Sequence, residues 1–297
     1  MLQFHSRDNK VSERSLEFNV LNEMIECTKR YFRKAYIVGY TTRQEAHHGL
    51  DVSINIPGYM LSAYQFKAPT SCKSRAVSYC TSYTFTIGNR CWVCSNPYLR
   101  HRGQARQQII NLLSSLGLRE SCINQHTLLY VVSLAIETYL GANVYYAFPL
   151  VYDYYELEQR IPGITNYTVT IRVRDFPIST ILDCKSHRVE ITLLSPISNI
   201  VDVVVYSKPT KIPSDKIRLA AEVVEKDLKD LKRRPRTAIH IKPEDLLDML
   251  TREFIHKAEE EDVGKDLMER AESLAKALVG VSFSYRGLTI AVEEERT

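Results

Sequence analysis

The sequence predicts an α/β (α+β) fold in which helices cover a mixed central sheet. Three observations support this prediction. A long amphipathic helix near residue 13 is followed by three strands, and a second helix with a fourth strand completes the pattern before residue 150. The predicted order is therefore α-β-β-β-α-β, with an insertion between the third strand and the second helix.

The first helix is predicted over residues 13–35. Ser12 is a suitable N-cap, because its hydroxyl can accept a hydrogen bond from the first turn. Acidic residues crowd the first half of the helix and basic residues its end, as the helix dipole favours. The apolar residues that recur at helical spacing are Leu16, Val20, Leu21, Met24, Ile25, Tyr31 and Phe32.

The three strands are predicted at residues 36–42, 51–56 and 59–67. A Pro-Gly turn between the second and third strands makes them an antiparallel hairpin. The second helix is predicted over residues 125–140, and a buried strand follows it at 143–150.

The rest of the chain divides into an insertion and two further parts. The insertion at residues 70–123 is predicted to be irregular apart from one short helix. Residues 151–206 form a strand-rich extension, and residues 207–297 are mostly helical, with a candidate boundary in the proline-punctuated segment 207–213. The elements predicted in the last part are charged helices at 214–234 and 243–278 and a closing hairpin at 282–292.

Composition narrows the class of protein. The chain of 297 residues carries a net charge of +4, and it has neither an apolar run long enough for a membrane span nor a signal peptide. We therefore expect a cytoplasmic protein without a membrane partner. Walker, GxGxxG, GxSxG and HExxH motifs are absent from the sequence, which gives no support to nucleotide-driven motors, Rossmann dehydrogenases, α/β-hydrolases or zincins.

Charge is distributed unevenly along the chain. Residues 52–119 contain eight basic residues, several aromatic residues and no acidic residue. Basic and aromatic side chains together are typical of nucleic-acid binding; the alternative is a solvated surface whose acidic partners lie elsewhere in the sequence. The candidate nucleic-acid contacts in this stretch are Lys73, Arg75, Arg90, Arg100, Arg102 and Arg106.

The candidate catalytic residues lie at the open end of the predicted hairpin. Asp51 begins one strand, and Gln65 and Lys67 lie on one face at the end of its partner, because side chains alternate along a strand. A carboxylate and an amide oxygen suit a hard cation such as Mg²⁺ or Mn²⁺, and a nearby lysine suits phosphodiester hydrolysis. Glu17 of the first helix is the candidate for a further metal ligand, with Glu23 and Glu26 as rivals.

In these residues the chain resembles the PD-(D/E)XK nuclease superfamily, and in particular the Mrr-type restriction endonucleases with Gly-X-Asp followed by Gln-X-Lys. The matching residues are Gly49-Leu50-Asp51 and Gln65-Phe66-Lys67, with thirteen residues between Asp51 and Gln65. The resemblance covers about residues 13–150. It implies a metal-dependent endonuclease, acting on DNA rather than RNA, with Asp51, Gln65 and Glu17 as metal ligands and Lys67 as the catalytic lysine.

Two other interpretations of this region stay open. The same fold can belong to a catalytically inactive nucleic-acid-binding or assembly protein. Alternatively, Asp51 can be a residue of a strand-initiating turn, with Gln65 and Lys67 as polar members of an edge strand that prevents aggregation.

The cysteines of the insertion allow three arrangements, which are structural Zn²⁺, disulfides, or free thiols. The residues concerned are Cys72, Cys80, Cys91 and Cys94. His47 and His48 are interpreted as exposed loop residues, and Asn124-Gln125-His126 as a helix N-terminus or a substrate contact. A basic cluster between Lys229 and Arg236 is interpreted as a solvated helix end or as a contact to nucleic acid or a partner. The charged C-terminal helices are consistent with a homodimer.

Overall fold

A computed structural model describes residues 10–40, 49–76, 79–88, 91, 93, 103–194, 201–206, 209–229, 239–283 and 289–290. The helices are α1 (Glu13–Lys29), α2 (Gly103–Ser115), α3 (Gln125–Leu140), α4 (Tyr154–Arg160), α5 (Ser179–Leu182), α6 (Ala220–Lys229), α7 (Pro243–Glu260) and α8 (Lys265–Phe283). The strands are β1 (Tyr36–Gly39), β2 (Val52–Ile56), β3 (Tyr59–Phe66), β4 (Ser71–Ala76), β5 (Tyr79–Ile87), β6 (Asn143–Pro149), β7 (Thr168–Arg172), β8 (His187–Leu193), β9 (Val201–Tyr206), β10 (Pro209–Lys211), β11 (Ile217–Leu219), β12 (Ile239–His240) and β13 (Thr289–Ile290).

The central sheet has the strand order β1-β2-β3-β6-β7-β11. β3 and β6 are parallel and their connection includes α3, whereas the other neighbouring strands are antiparallel. The predicted α+β class with a mixed sheet is therefore confirmed. The parallel register sets Gln65 beside Tyr146 and Phe66 beside Ala147, which fixes the end of β3 close to the end of β6.

The central sheet separates two hydrophobic cores, because β6 alternates between its faces. Tyr145 and Ala147 contribute to a core shared with α1 and α6, and Tyr146 and Phe148 to a core shared with α3 and the second sheet. Both faces are covered, so the strands at the centre are buried. Helices α7 and α8 also contribute to the second core.

A second sheet is antiparallel, with the order β10-β9-β8-β5-β4. Its strands β4 and β5 lie in the insertion, so the prediction of an irregular segment was wrong at residues 71–76 and 79–87. Tyr83, Phe85 and Ile87 are fully buried and Phe85 contacts Phe148 of the central sheet at 5.0 Å between ring centroids. The alternation of these apolar residues with threonine is the strand signal that the sequence contained.

The C-terminal part differs from its predicted elements. The candidate boundary at 207–213 includes β10, which pairs with β9, and β11 follows it into the central sheet beside β7. The predicted closing hairpin is wrong, because α8 continues to Phe283 and β13 pairs with β12. The long helix predicted at 243–278 is broken into α7 and α8, with Asp262 at a positive φ of 46° between them. No helix among the described residues is long and apolar enough to cross a membrane.

Candidate active site

The open end of the β2–β3 hairpin brings Asp51 and Gln65 together. The Oδ2 atom of Asp51 accepts hydrogen bonds from the Nε2 atom of Gln65 at 2.8 Å and from the backbone N–H of Phe66 at 2.7 Å. Both side chains are buried, with Asp51 5% and Gln65 1% exposed. The carboxylate therefore holds the end of β3 against the start of β2.

A residue of α3 connects this pair to Lys67. Gln125 donates from Nε2 to Oε1 of Gln65 at 3.1 Å, and its own Oε1 accepts from Nζ of Lys67 at 3.0 Å. Gln65 and Lys67 thus contact the same helix, as the alternation along β3 predicts. We refer to Asp51, Gln65, Lys67 and Gln125 as the Asp51 cluster.

The N-terminus of α3 fixes the position of Gln125. Asn124 is the N-cap, and its side chain accepts from the backbone N–H groups of His126 and Thr127. Gly49 has a φ of +71°, and a Cβ atom there would lie 3.2 Å from the carbonyl oxygen of Gln125. The glycine two residues before Asp51 is therefore required both by its backbone conformation and by the closeness of α3.

A buried histidine lies behind the cluster. Ring nitrogens of His126 are 3.0 Å from the hydroxyl of Tyr146 and 2.9 Å from that of Thr180. Burial lowers the pKa of His126 well below its usual value, and the nearby His187 and the charge of Lys67 lower it further. His126 is therefore neutral at pH 7 and anchors α3 as a hydrogen-bonding residue.

The first turns of α1 contact the same end of the sheet. Oε2 of Glu13 accepts from the backbone N–H of Ala68, which follows Lys67, at 3.2 Å. Glu17 lies one turn further along α1, is 8% exposed, and forms an ion pair with Arg14 at 3.0 Å. A glutamate of α1 that binds a metal ion together with Asp51 would have to lie at this N-terminal end of the helix.

The two rival glutamates have other roles. Glu23 accepts hydrogen bonds from three successive backbone N–H groups, those of Gly163, Ile164 and Thr165, at 2.7 to 3.2 Å. Glu26 forms an exposed ion pair with Lys29 at 2.7 Å. Glu17 remains the stronger candidate of the three.

The Asp51 cluster offers few donor atoms for the predicted metal ion. Within the described residues, no group of three or more His, Cys, Asp or Glu side chains is arranged to hold a metal ion. The cluster offers one carboxylate and the amide oxygens of Gln65 and Gln125, each of which retains a second lone pair. Oxygen donors of this kind suit a hard cation that keeps most of its water molecules, such as Mg²⁺, although Gln65 turns its Nε2 atom toward Asp51 and its Oε1 atom toward Gln125.

The predicted nucleic-acid contacts that the structure describes have acidic partners. Lys73 forms an ion pair with Glu190 of β8 at 3.6 Å, and Arg106 with Glu120 at 3.5 Å. Both acids come from outside the acid-free stretch, as the alternative interpretation expected. The side chain of Arg75 and the residues Arg90, Arg100 and Arg102 lie outside the described part, as do His47, His48 and Cys94.

Disulfides account for most of the described cysteines. Cys72 is bonded to Cys80 across the β4–β5 hairpin, and Cys122 is bonded to Cys184. Cys91 is also disulfide-bonded. Cys72 and Cys80 therefore follow the disulfide alternative, in which no thiolate is left at either residue for zinc.

Glu13 was not assigned a role from the sequence, and Gln125 was predicted only as part of a helix N-terminus or a substrate contact. Because Glu13 directly follows the N-cap Ser12, the sequence already indicated that it lies at the start of α1. Gln125 follows the N-cap Asn124 in the same way. What the sequence lacked was the distance from these two helix starts to the end of β3.

Comparison with known protein families, with curated proteins and with solved structures finds no match for this chain.

Proposed function

We propose that this protein is a metal-dependent endonuclease that hydrolyses phosphodiester bonds, with DNA as the substrate. The observation that carries the proposal is the continuous hydrogen-bonded series from Asp51 through Gln65 and Gln125 to Lys67. It unites a buried carboxylate, two amides and a lysine at one edge of an α-β-β-β-α-β core. These are the residue types and the place in the fold that the PD-(D/E)XK resemblance requires.

Asp51, Gln65 and Glu17 would hold the cation. Mg²⁺ or Mn²⁺, when bound, polarises a phosphoryl oxygen and lowers the pKa of a bound water. Lys67 is 9% exposed and its Nζ donates to Gln125, so its side chain is held in place, and its charge would act on a phosphate that approaches it. In this role Lys67 stabilises negative charge that develops at the phosphate or orients the attacking water.

Cleavage of plasmid DNA in Mg²⁺ and in Mn²⁺ tests the proposal. We expect the wild type to cut and the rate of the Lys67→Ala variant to fall about a hundred- to a thousandfold, the scale of one preorganised electrostatic contact. Lys265→Ala is the matched control, because Lys265 is an exposed lysine of α8, 88% exposed at its side chain, to which no nucleic-acid contact is assigned. A wild type that cuts neither DNA nor RNA, or a Lys67→Ala variant as active as the control, would refute the enzymatic proposal.

A second function is favoured by the scarcity of acidic ligands. Neutral Gln65 stands where most PD-(D/E)XK nucleases have an acid, and no cluster of three metal-binding side chains exists within the described residues. A nucleic-acid-binding or assembly protein built on the same fold would bind DNA without divalent metal. Salt-dependent binding that Asp51→Asn leaves unchanged, with no cleavage, would favour this function.

The cellular location is part of the proposal as well. Disulfides such as Cys122–Cys184 are rare in the cytoplasm of mesophiles but common inside hyperthermophiles. A cytoplasmic location therefore fits a protein from a cell of the second kind.

A further inference from the structure

The C-terminal end of α1 carries exposed basic and aromatic side chains next to the end of α6. We refer to this surface as the α1 basic patch; its members are Lys29, Arg30, Tyr31, Phe32, Arg33, Lys34, Lys226 and Lys229. α1 packs against α6, and Tyr31 lies close enough to Lys229 to add a small contribution to the rise of its pKa that Glu225 mainly causes. The two helix ends thus present one surface.

Most of the positive charge of this patch is not neutralised. Lys29 pairs with Glu26 and Lys229 with Glu225, each at 2.7 Å. No ion pair joins Arg30, Arg33, Lys34 or Lys226 to an acid within the described part of the chain, and all four side chains are exposed. This contrasts with Lys73 and Arg106, which the sequence favoured and which have acidic partners.

The aromatic rings of the patch are unusually open to solvent. Tyr31 is 56% and Phe32 38% exposed, although burial of such a side chain stabilises a protein by about 1.5–3 kcal/mol. Exposed rings between cations are the arrangement on which unpaired bases stack while the cations contact phosphates. Duplex bases are already stacked, so the rings favour a single strand.

The helix dipole does not explain the patch. The dipole favours cations within the last turn, and its effect falls off beyond that turn. Arg33 and Lys34 follow the last residue of α1, Lys29, by four and five positions. The helix dipole therefore does not explain why Arg33 and Lys34 are basic.

We propose that the α1 basic patch binds single-stranded nucleic acid. α1 spans 17 residues, or about 25 Å at 1.5 Å per residue, and Glu13 at its other end contacts the segment next to Lys67. The patch is thus a second binding surface, remote from the Asp51 cluster, and binding there does not depend on the proposed nuclease activity.

Fluorescence anisotropy with a labelled oligo(dT) of about 20 nucleotides tests this, in EDTA and at low salt, with the full chain carrying Lys67→Ala. Without divalent metal no cleavage can interfere, so a failed nuclease assay and a failed binding assay are separate results. We expect the Arg33→Gln/Lys34→Gln variant to bind about tenfold more weakly, with a salt slope smaller by about 0.7 for each phosphate that the variant no longer neutralises. Tyr31→Ala should weaken binding about fivefold or more.

The matched control is Lys242→Gln/Arg270→Gln. This pair removes the same charge from exposed residues that also have no ion pair within the described residues, and it should bind within about twofold of the parent. Equal weakening in the two double variants, tighter binding to a duplex than to oligo(dT), or binding through these residues only to phosphatidylserine vesicles would each overturn the proposal. Circular dichroism melts of all variants confirm that they are folded.

Discussion

The two ends of α1 differ in the burial of their charged side chains and in the contacts that these side chains make. At the N-terminal end, Glu13 accepts a hydrogen bond from Ala68, next to the buried Lys67, and the buried Glu17 forms an ion pair with Arg14. At the C-terminal end, Arg33 and Lys34 are exposed and have no ion pair within the described residues.

This difference separates two uses of charge. A buried carboxylate such as Asp51 is satisfied by donors of the protein itself, so its removal disturbs the fold. An exposed, unpaired cation contributes little to stability and is available to a partner. We therefore expect variants at the first end to change stability and variants at the second to change binding.

The largest effect on stability is expected for Asp51→Ala. This change leaves the N–H of Phe66 and the amide of Gln65 without their acceptor in a buried position, which costs about 2–4 kcal/mol. Arg33→Gln should change the free energy of unfolding by less than about 0.5 kcal/mol. Urea denaturation measures both, and a similar cost for the two variants would contradict the distinction between the two ends.

A smaller effect is expected for Gly49→Ala. An alanine at a φ of +71° is strained, and its Cβ would press on the carbonyl oxygen of Gln125 at 3.2 Å, so we expect a cost of about 1–2 kcal/mol. Gly39 is the control, because a Cβ there meets no atom within 4 Å and its φ is not positive. Thermal unfolding of the two variants decides the matter; equal melting temperatures would mean that α3 is not held against the Asp51 cluster as described.

A further effect is a dependence of stability on pH that comes from two histidines, His126 at the start of α3 and His187 at the start of β8. Burial lowers the pKa of His126 and of His187 in the folded protein, so the unfolded chain binds more protons below its own histidine pKa of about 6.5. The free energy of unfolding should therefore fall as the pH decreases from about 6.5 toward the lowered folded-state pKa of each ring, by up to about 1.4 kcal/mol per pH unit for each histidine. Stability is fully present above that window.

Urea titrations at successive pH values measure this slope. The His126→Asn variant should lower the slope of the free energy of unfolding against pH by the contribution of about one proton. The Arg33→Gln/Lys34→Gln variant should keep the wild-type slope, because neither residue titrates in this range. An unchanged slope in His126→Asn would show that His126 is not the titrating group.

Local patterns predicted the elements around the candidate site well. The Pro-Gly turn, the alternation along β3 and the cap at Asn124 are effects between near neighbours in sequence, and they gave the hairpin, the shared face of Gln65 and Lys67, and the start of α3. The second sheet was missed because β4 and β5 contain many polar residues, and β5 buries its apolar face only when it packs against the central sheet.

The pairing of charges could not be predicted for a related reason. The stretch from 52 to 119 has no acid in its sequence, yet Glu190, far away in the chain, pairs with Lys73. An ion pair depends on distance in space, which local composition does not contain. Conversely, the basic end of α1 was explained by the helix dipole, and the sequence did not indicate that it lies beside Lys226 and Lys229 of α6.

By itself, the sequence determined the α-β-β-β-α-β order and the positions of Asp51, Gln65 and Lys67 on it, because turns, caps and periodicity act over a few residues. Only the tertiary structure decided that Gln125 joins Gln65 to Lys67, that the insertion pairs with β8, and that the unpaired cations lie at the far end of α1. Those facts depend on contacts between segments distant in the chain, and such contacts form only when the hydrophobic cores bring the segments together.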